Sequence, residues 1–356
     1  MPATLADVAR RAGVSEATAS RALNGRRYVA AATRARVDEA VQSLDYVPNR
    51  AARDLSLSKT ATVALLVHHR QYPAGGEGTF GSRVLHGVAR ALRAAGHDLL
   101  YVTADDEAVD SLSRLPALRP GRSDGAILLG PAFPHHAVDA LRARRPTVLV
   151  DNLHDDTDAV AADNRPAVEA LTIHLLADHG YRDVACIAGP DDWPSTAERV
   201  AGYTTAMEAA GLPTRVVHAT ETTMRDGASA TATLLAGERV QAIVAVNDAM
   251  AIGAIHQLRA HADGPATAVV GFDDIAWAEL TVPPLTTIAV NAVEMGARAA
   301  ELLLQRIAQP LAPPRVVRIT ATPRIRRSCG CPAADAIRDH EDRSSPGIPG
   351  GDGIHV

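Results

Sequence analysis

TLADVARRAGVSEATASRALNG occupies residues 4–25, and its reading decides what the first part of the chain can be. Thr4 is a good helix N-cap, and it directly precedes LADVARRA, in which Leu5, Val8, Ala9 and Ala12 share one face. Gly13 suits the left-handed backbone position that ends a helix. Ser15 is placed to cap a second helix, EATASRAL, and Thr33 to cap a third, TRARVDEAVQSL, with Val37, Val41 and Leu44 on one side. Two short helices joined by a tight glycine-containing turn make a helix-turn-helix, which seats its second helix in the DNA major groove. A plain helical hairpin would use the same caps and spacing, so charge decides between the two. Residues 1–60 carry ten basic and six acidic side chains, a net of +4, whereas the whole chain is at -5, so the remainder is near -9. A basic head on an acidic body indicates that the head alone meets an anionic partner.

The chain has 356 residues, too many for one ordinary core, and the expectation is two or three domains. Hydrophobic residues at 47% and charged residues at 22% fit a soluble globular protein. Aromatics are only 3%, so the cores must be built from Ala, Val, Leu and Ile. The opening MPATLADVARRAG has no apolar signal segment, and no run approaches the ~20 apolar residues of a membrane span. Cys186, Cys329 and Cys331 form an odd, sparse set, which argues against a disulfide scaffold and for a reducing cytoplasm. His68–His69 and the Cys329-Gly-Cys331 pair are weak metal signals, and neither a metal nor a cofactor is assigned. Nucleophile-elbow, P-loop and H-E-x-x-H motifs are absent, which argues against an enzyme.

Four regions follow from pattern: a helix-turn-helix head at 1–48, a hinge helix and linker at 49–59, a body at 60–328 and a tail at 329–356 expected to be disordered. In YVPNRAARDLSLSKT (46–60), Pro48 stops the third helix and Asn49 can cap a turn or two, too short to be stable alone. Beyond residue 60 the runs VALLV, LLYVT, AILLG and TVLVD alternate with helical stretches, and the rhythm restarts with VACIAG, RVVHA, AIVAV and AVVGF. Continuous apolar runs between helices mean parallel strands covered on both faces, here in two similar α/β lobes.

The head, the Pro-Asn hinge and the two-lobed α/β body together resemble the lac repressor/galactose repressor family of transcription regulators. The resemblance rests on TLADVARRAGVSEATASRALNG, VPNRAARDL, NDAMAIGA (247–254), VVGFDDI (269–275) and PPLTTI (283–288), and spans roughly residues 3–328. It implies a body similar to periplasmic sugar-binding proteins, and a homodimer on a near-palindromic operator. It places Glu16, Ala17 and Arg21 at base-reading positions, with Tyr28 adding a groove contact. Thr4, Ser15, Thr18, Ser20, Asn24, Thr33 and Asn49 would touch phosphate. Arg21 could grip guanine bidentately or merely bind phosphate. Ala52 and Leu55 match the hinge, where Leu55 would wedge into the minor groove, pack against its dimer mate, or both.

For the body, the resemblance makes Arg199, Asn247 and Asp273 ligand-holding positions. Asp151 joins them because all four lie at or beyond the carboxyl ends of expected strands, where open α/β sheets bind ligands. Trp193 or Trp277 could stack on a sugar face; Tyr72 and Phe80 from the loop after the first strand are carried over as further contacts. Each has a plainer alternative: Asp273 as a turn cap, Asn247 as a helix cap, Trp193 as core. The expected ligand is a sugar or sugar derivative, with a nucleobase or other metabolite as the alternative. A solute-binding protein would share the body but needs a secretion signal and has no use for the head. The lobes are expected to connect near 161–163, 288–290 and 318–320.

Overall fold

The computed structural model describes residues 3–23, 29–46, 60–68, 79–131, 133–237, 240–260 and 267–332. Asn24, Tyr28, Asn49, Ala52, Leu55 and Tyr72 lie outside the described residues, as does everything from 333 onward. The chain divides into two compact units, Met1–Thr60 and Ala61–Val356.

In the first unit, α1 (Leu5–Ala12), α2 (Glu16–Leu23) and α3 (Ala31–Ser43) enclose a small core of Val8, Ala12, Ala22, Val37 and Ala40. Burying one valine contributes only about 1.5 kcal/mol or a little more, so helix ends matter in so small a core. Thr4 and Asp7 form a reciprocal capping box: the Asp7 amide donates to Thr4 Oγ1 (3.3 Å) and the Thr4 amide to Asp7 Oδ2 (3.0 Å). Gly13 closes α1 at φ 65°, a left-handed position open to a residue without a Cβ. Ser15 Oγ accepts from the Thr18 amide at 3.2 Å and so caps α2. The third cap differs from expectation. α3 starts two residues earlier than Thr33, behind Ala30, which has no side-chain cap bond; Thr33 sits inside the first turn, its amide donating to Ala30 O at 3.0 Å.

The first lobe of the second unit runs β1 (Thr62–His68), α4 (Phe80–Ala94), β2 (Asp98–Ala104), α5 (Asp106–Asp110), β3 (Gly125–Leu129), α6 (His135–Arg142), β4 (Thr147–Val150) and β5 (Asp158–Ala162). The second lobe runs α7 (Asn164–Ala177), β6 (Val184–Ala188), α8 (Pro194–Ala209), β7 (Val216–His218), α9 (Met224–Leu235), β8 (Ala242–Ala245), α10 (Asp248–Ala260), β9 (Ala268–Val270) and β10 (Thr287–Val290). The chain then returns through α11 (Ala292–Ala308) and β11 (Val316–Ile319) before reaching β12 (Ala321–Arg324). One sheet has the order β11-β5-β4-β3-β1-β2 and the other β7-β6-β8-β9, all pairs parallel; β10 and β12 form an antiparallel ribbon beside β9.

The period-2 geometry of β1 shows why apolar runs were needed. Val63, Leu65 and Val67 join the core under α4 and α11, while Ala64 and Leu66 join a separate core with Leu112, Leu128, Val138 and Leu141. One expected covered strand departs from this: β2 is an edge strand whose Leu100 and Tyr101 are exposed. Helices meet backbone to backbone at glycines. A Cβ on Gly87 would collide with the Val293 carbonyl, and one on Gly296 with that of Val84, so α4 and α11 pack without a side-chain layer between them. Gly227 and Gly253 join α9 to α10 in the same way.

Three connections join the lobes: β5 into α7 at Asp163, β10 into α11 at Asn291, and β11 into β12 at Thr320. The chain also stays packed beyond residue 328. Ser328 Oγ bonds within the second lobe, its hydroxyl serving the Thr286 amide (2.7 Å), and Cys329 is fully buried. The body therefore continues through the start of what was expected to be tail.

Candidate DNA-reading helix and ligand site

On α2, Glu16, Ala17 and Arg21 are exposed, while Ala19 and Ala22 face the core. Glu16 and Arg21 stand five residues apart, about 140° around the helix, so both face outward without stacking on each other, while Ala17 lies four residues before Arg21 on its face. Arg21 Nε donates to the Ala17 carbonyl at 3.0 Å, which folds the guanidinium back along its own helix. Thr18 and Ser20 are partly buried, and the hydroxyls of Ser15 and Thr18 lie 2.9 Å apart. Thr4 and Ser15 are thus committed to helix ends, and the free amides of those ends are natural phosphate partners.

In the body, strand ends set up a second constellation. β4 finishes at Val150 and the next residue, Asp151, takes φ 57°; β9 is followed by Asp273 at φ 115° and Asp274 at φ 50°. Left-handed backbone at two strand-end carboxylates is sparsely populated for non-glycine residues and is held here by ladder bonds. The Asp151 amide donates to Val160 O (3.0 Å) and the Asp273 amide to Ile288 O (2.9 Å). Both aspartates face Arg199 of α8: Nη2 lies 3.5 Å from Asp151 Oδ1 and Nη1 3.9 Å from Asp273 Oδ1. Arg199 is itself buried, its guanidinium 3.8 Å above the Phe272 ring, with Nε donating to Asn164 Oδ1 and Nη1 to Val246 O, both at 2.8 Å.

The arginine spends its best hydrogen bonds on Asn164 and Val246, and the carboxylates receive the weaker contacts. Burial pushes the Asp151 carboxyl up, opposed by Arg199 and by the Ser195 hydroxyl, 3.4 Å from Oδ2. Burial raises Asp273 well above the usual carboxylate range, opposed by Arg199 and reinforced by neighbouring Asp248 and Asp151. Asp151 Oδ1 accepts no hydrogen bond among the described residues. Two under-compensated acceptors beside a guanidinium make a site suited to a neutral molecule rich in hydroxyl donors.

The remaining candidates are distributed less evenly. Asn247 is engaged as the helix cap of α10, its Oδ1 accepting from the Met250 amide (2.8 Å) and its Nδ2 donating to Thr222 O (3.0 Å). Trp193 is buried just before α8 yet belongs to none of the apolar clusters. Phe80 is buried in the main core at the start of α4, and Trp277 is 51% exposed, which removes it as a buried stacking platform.

Several residues of this region had no sequence signal. Glu198 is bridged by Arg318 (2.7 and 2.9 Å) and by Asn164 (2.8 Å), giving an unbroken chain from Arg318 to Arg199. Burial works to raise Glu198, but the Arg318 and Asn164 bonds prevail and hold it below the usual range. Arg83 of the first lobe donates to Asp274 O (3.0 Å) and Val290 O (3.3 Å) in the second. Glu198 and Arg318 lie 120 positions apart in sequence and Arg83 and Asp274 lie 191 apart, so only the fold brings these groups together.

Comparison with known proteins identifies the family of the chain. Residues 4–49 match the bacterial regulatory proteins of the lacI family, and 173–329 match the periplasmic binding protein-like domain. The chain is 34% identical over 316 residues to the ribose operon repressor of Escherichia coli (strain K12), covering 86% of this chain and 94% of that one. The chain belongs to the lacI family of bacterial regulatory proteins. Among solved structures, the regulator resembles the transcriptional regulator CelR–cellobiose complex (30% identity, TM-score 0.65, 92% of this chain and 99% of that one). It shares its fold with the lac repressor dimer bound to operator and the anti-inducer ONPF (23% identity, TM-score 0.78, with the same coverage of 92% and 99%). No helix among the described residues is long and apolar enough to cross a membrane.

Proposed function

We propose that this regulator is a repressor that binds a near-palindromic operator as a homodimer and that a sugar, held by Asp151, Arg199 and Asp273, changes its operator affinity. It acts through binding, without catalysis of its own. The observation that carries the ligand reading is the buried guanidinium flanked by two carboxylates at 3.5 and 3.9 Å. A sugar's hydroxyls donate to both carboxylates while its oxygens accept from Arg199, which completes bonds the protein leaves weak. Trp193, buried outside the apolar clusters, supplies a face for the sugar's C–H surface. The ribose repressor and the cellobiose-bound regulator make a pentose and a glucoside the first ligands to test.

Exposed apolar groups support the dimer. Leu100 and Tyr101 on edge strand β2, and Met224, Trp277, Leu280 and Val282 on the second lobe, remain uncovered in the single chain. In the head, Glu16 and Arg21 are assigned to base edges, Glu16 accepting from cytosine N4 and Arg21 donating to guanine. The remaining head assignments, Thr18, Ser20 and Thr33 among them, are to phosphate.

The test is a site selection from random duplex DNA followed by anisotropy titration on the selected site, with ribose, cellobiose, adenine and guanine added in turn. One sugar is expected to shift operator affinity, by roughly 5–150-fold if coupling is ordinary, and to raise the thermal midpoint. A response to a nucleobase alone would replace the sugar reading. A palindrome bound with no response to any ligand class would remove the allosteric part.

A further inference from the structure

We propose that the second lobe carries a structural zinc site formed by His174, His179, Cys329 and Cys331. The four donor atoms come from two distant parts of the chain and lie within 4.8 Å of one another. His174 belongs to the last turn of α7 and His179 to the turn that follows; Cys329 and Cys331 flank Gly330 after β12. None of the four belongs to the Arg199 cluster, and the proposal is independent of the function proposed above.

The separations fit a tetrahedral ion. His174 Nε2 and His179 Nε2 are 3.3 Å apart; Cys331 Sγ lies 3.3 Å from His179 Nε2 and 3.7 Å from His174 Nε2. Bond lengths of about 2.0–2.1 Å for Zn–N and about 2.3 Å for Zn–S give tetrahedral edges of about 3.3 Å between nitrogens and about 3.5 Å from nitrogen to sulfur. Two imidazole nitrogens pointing at each other at this distance must share either a proton or a cation. With two thiols converging on the same point, a single divalent cation satisfies all four groups at once.

The surroundings orient the donors as a metal site requires. His174 Nδ1 is 2.7 Å from Asp178 Oδ2, so the carboxylate holds the Nδ1–H tautomer and turns the Nε2 lone pair inward. The Thr286 hydroxyl lies 3.1 Å from Cys329 Sγ, a donor to a thiolate. Tyr181 holds the loop by donating to Cys329 O at 3.1 Å. Gly330 takes φ 103°, which lets sulfurs two residues apart turn toward one centre. Two thiolates and two imidazoles are a borderline-soft set that suits zinc, and four protein ligands leave no open position, the mark of a structural site. Zinc here would join the end of α7, which starts at the first lobe connection, to the segment that follows the third.

The test uses full-length protein purified without a histidine tag. Zinc is measured by elemental analysis after dialysis and after reconstitution with the metal alone, and Co2+ replaces it for spectroscopy. About one zinc per chain is expected, and the Co2+ form should show tetrahedral d–d bands with a thiolate charge-transfer band. Cys331→Ser and His179→Gln should lose the metal, whereas Cys186→Ser, a buried thiol outside the cluster, should keep it. A wild-type chain that takes up no zinc, or Co2+ bound without the charge-transfer band, overturns the proposal. Full zinc retention in the Cys329→Ser/Cys331→Ser double variant overturns it as well. The wild-type Co2+ spectrum decides the matter even if the variants fail to fold.

Discussion

Replacing Arg199 with methionine removes the cation that, among the described residues, faces both Asp151 and Asp273, while keeping an unbranched apolar side chain over Phe272. At separations of 3.5 and 3.9 Å and an effective dielectric near 20, each attraction is about 4–5 kcal/mol before the cost of dehydrating the ions, which offsets much of it. Removing one member of a buried ion pair commonly costs about 3–5 kcal/mol, and that is the expected loss at alkaline pH. The pH dependence follows from the direction of the shifts. Both carboxyls have folded values raised above the ordinary one, so their contribution is fully present at acid pH and is lost as pH rises through the folded value. Without Arg199 those values rise further, and the penalty of Arg199→Met should be larger near pH 8 than near pH 5. Urea unfolding of the single variants and the Arg199→Met/Asp151→Asn double variant at both pH values gives the coupling directly, expected at about 1–3 kcal/mol. Additive effects to within about 0.5 kcal/mol, equal at the two pH values, would show that guanidinium and carboxylate do not interact and would refute the site as described.

Three further outcomes are expected. Glu16→Ala should relax base preference at one position per operator half-site while leaving or raising non-specific affinity; a uniform loss across all selected sequences would contradict base reading. Thr4→Ala breaks the capping box with Asp7 and should lower head stability by about 1 kcal/mol, read as a lower melting midpoint of the head's helical signal. Burial pushes Asp248 up to about 7, against bonds from Thr287 and the Ile275 amide that work the other way. Its stabilising contribution is therefore lost as pH climbs from about 4 through 7, so in chemical denaturation Asp248→Asn should gain on the wild type across that window, by about 1–2 kcal/mol at about pH 5 and about 4 kcal/mol at about pH 8, relative to their difference at about pH 3.

The head was readable because each of its instructions is local. Thr4, Gly13 and Ser15 act within three or four residues, and the structure places all three at helix ends. Thr33 misled because α3 begins behind Ala30, a residue with no capping group to see. Most strands announced themselves as apolar runs, but β5, β10, β11 and β12 are short and flanked by charge, proline or threonine. They were legible only as connections between lobes, near the positions the family resemblance implied. The candidate ligand cluster was half visible. Asp151, Arg199 and Asp273 converge, while Asn247 is bound up in a helix cap and Phe80 in the core. Asn164, Glu198, Arg318 and Arg83 carry no local mark, since their partners are assigned by the fold. The same holds for the two histidines beside Cys329 and Cys331: His174 reads as an ordinary helical residue until the segment after β12 is laid against it.

The backbone contacts at Gly87, Gly296, Gly227 and Gly253 have a mechanical consequence. Helices fused at their main chains cannot slide without breaking van der Waals contact along their length, so each lobe behaves as a stiff block with little internal compliance. Any deformation a ligand induces is then concentrated in the three short connections at Asp163, Asn291 and Thr320. Arg83 and the Arg318–Glu198–Asn164–Arg199 chain are anchored beside those connections and resist their bending. A molecule bound at the Arg199 cluster would therefore act by working against those bonds at the joints, not by deforming either lobe.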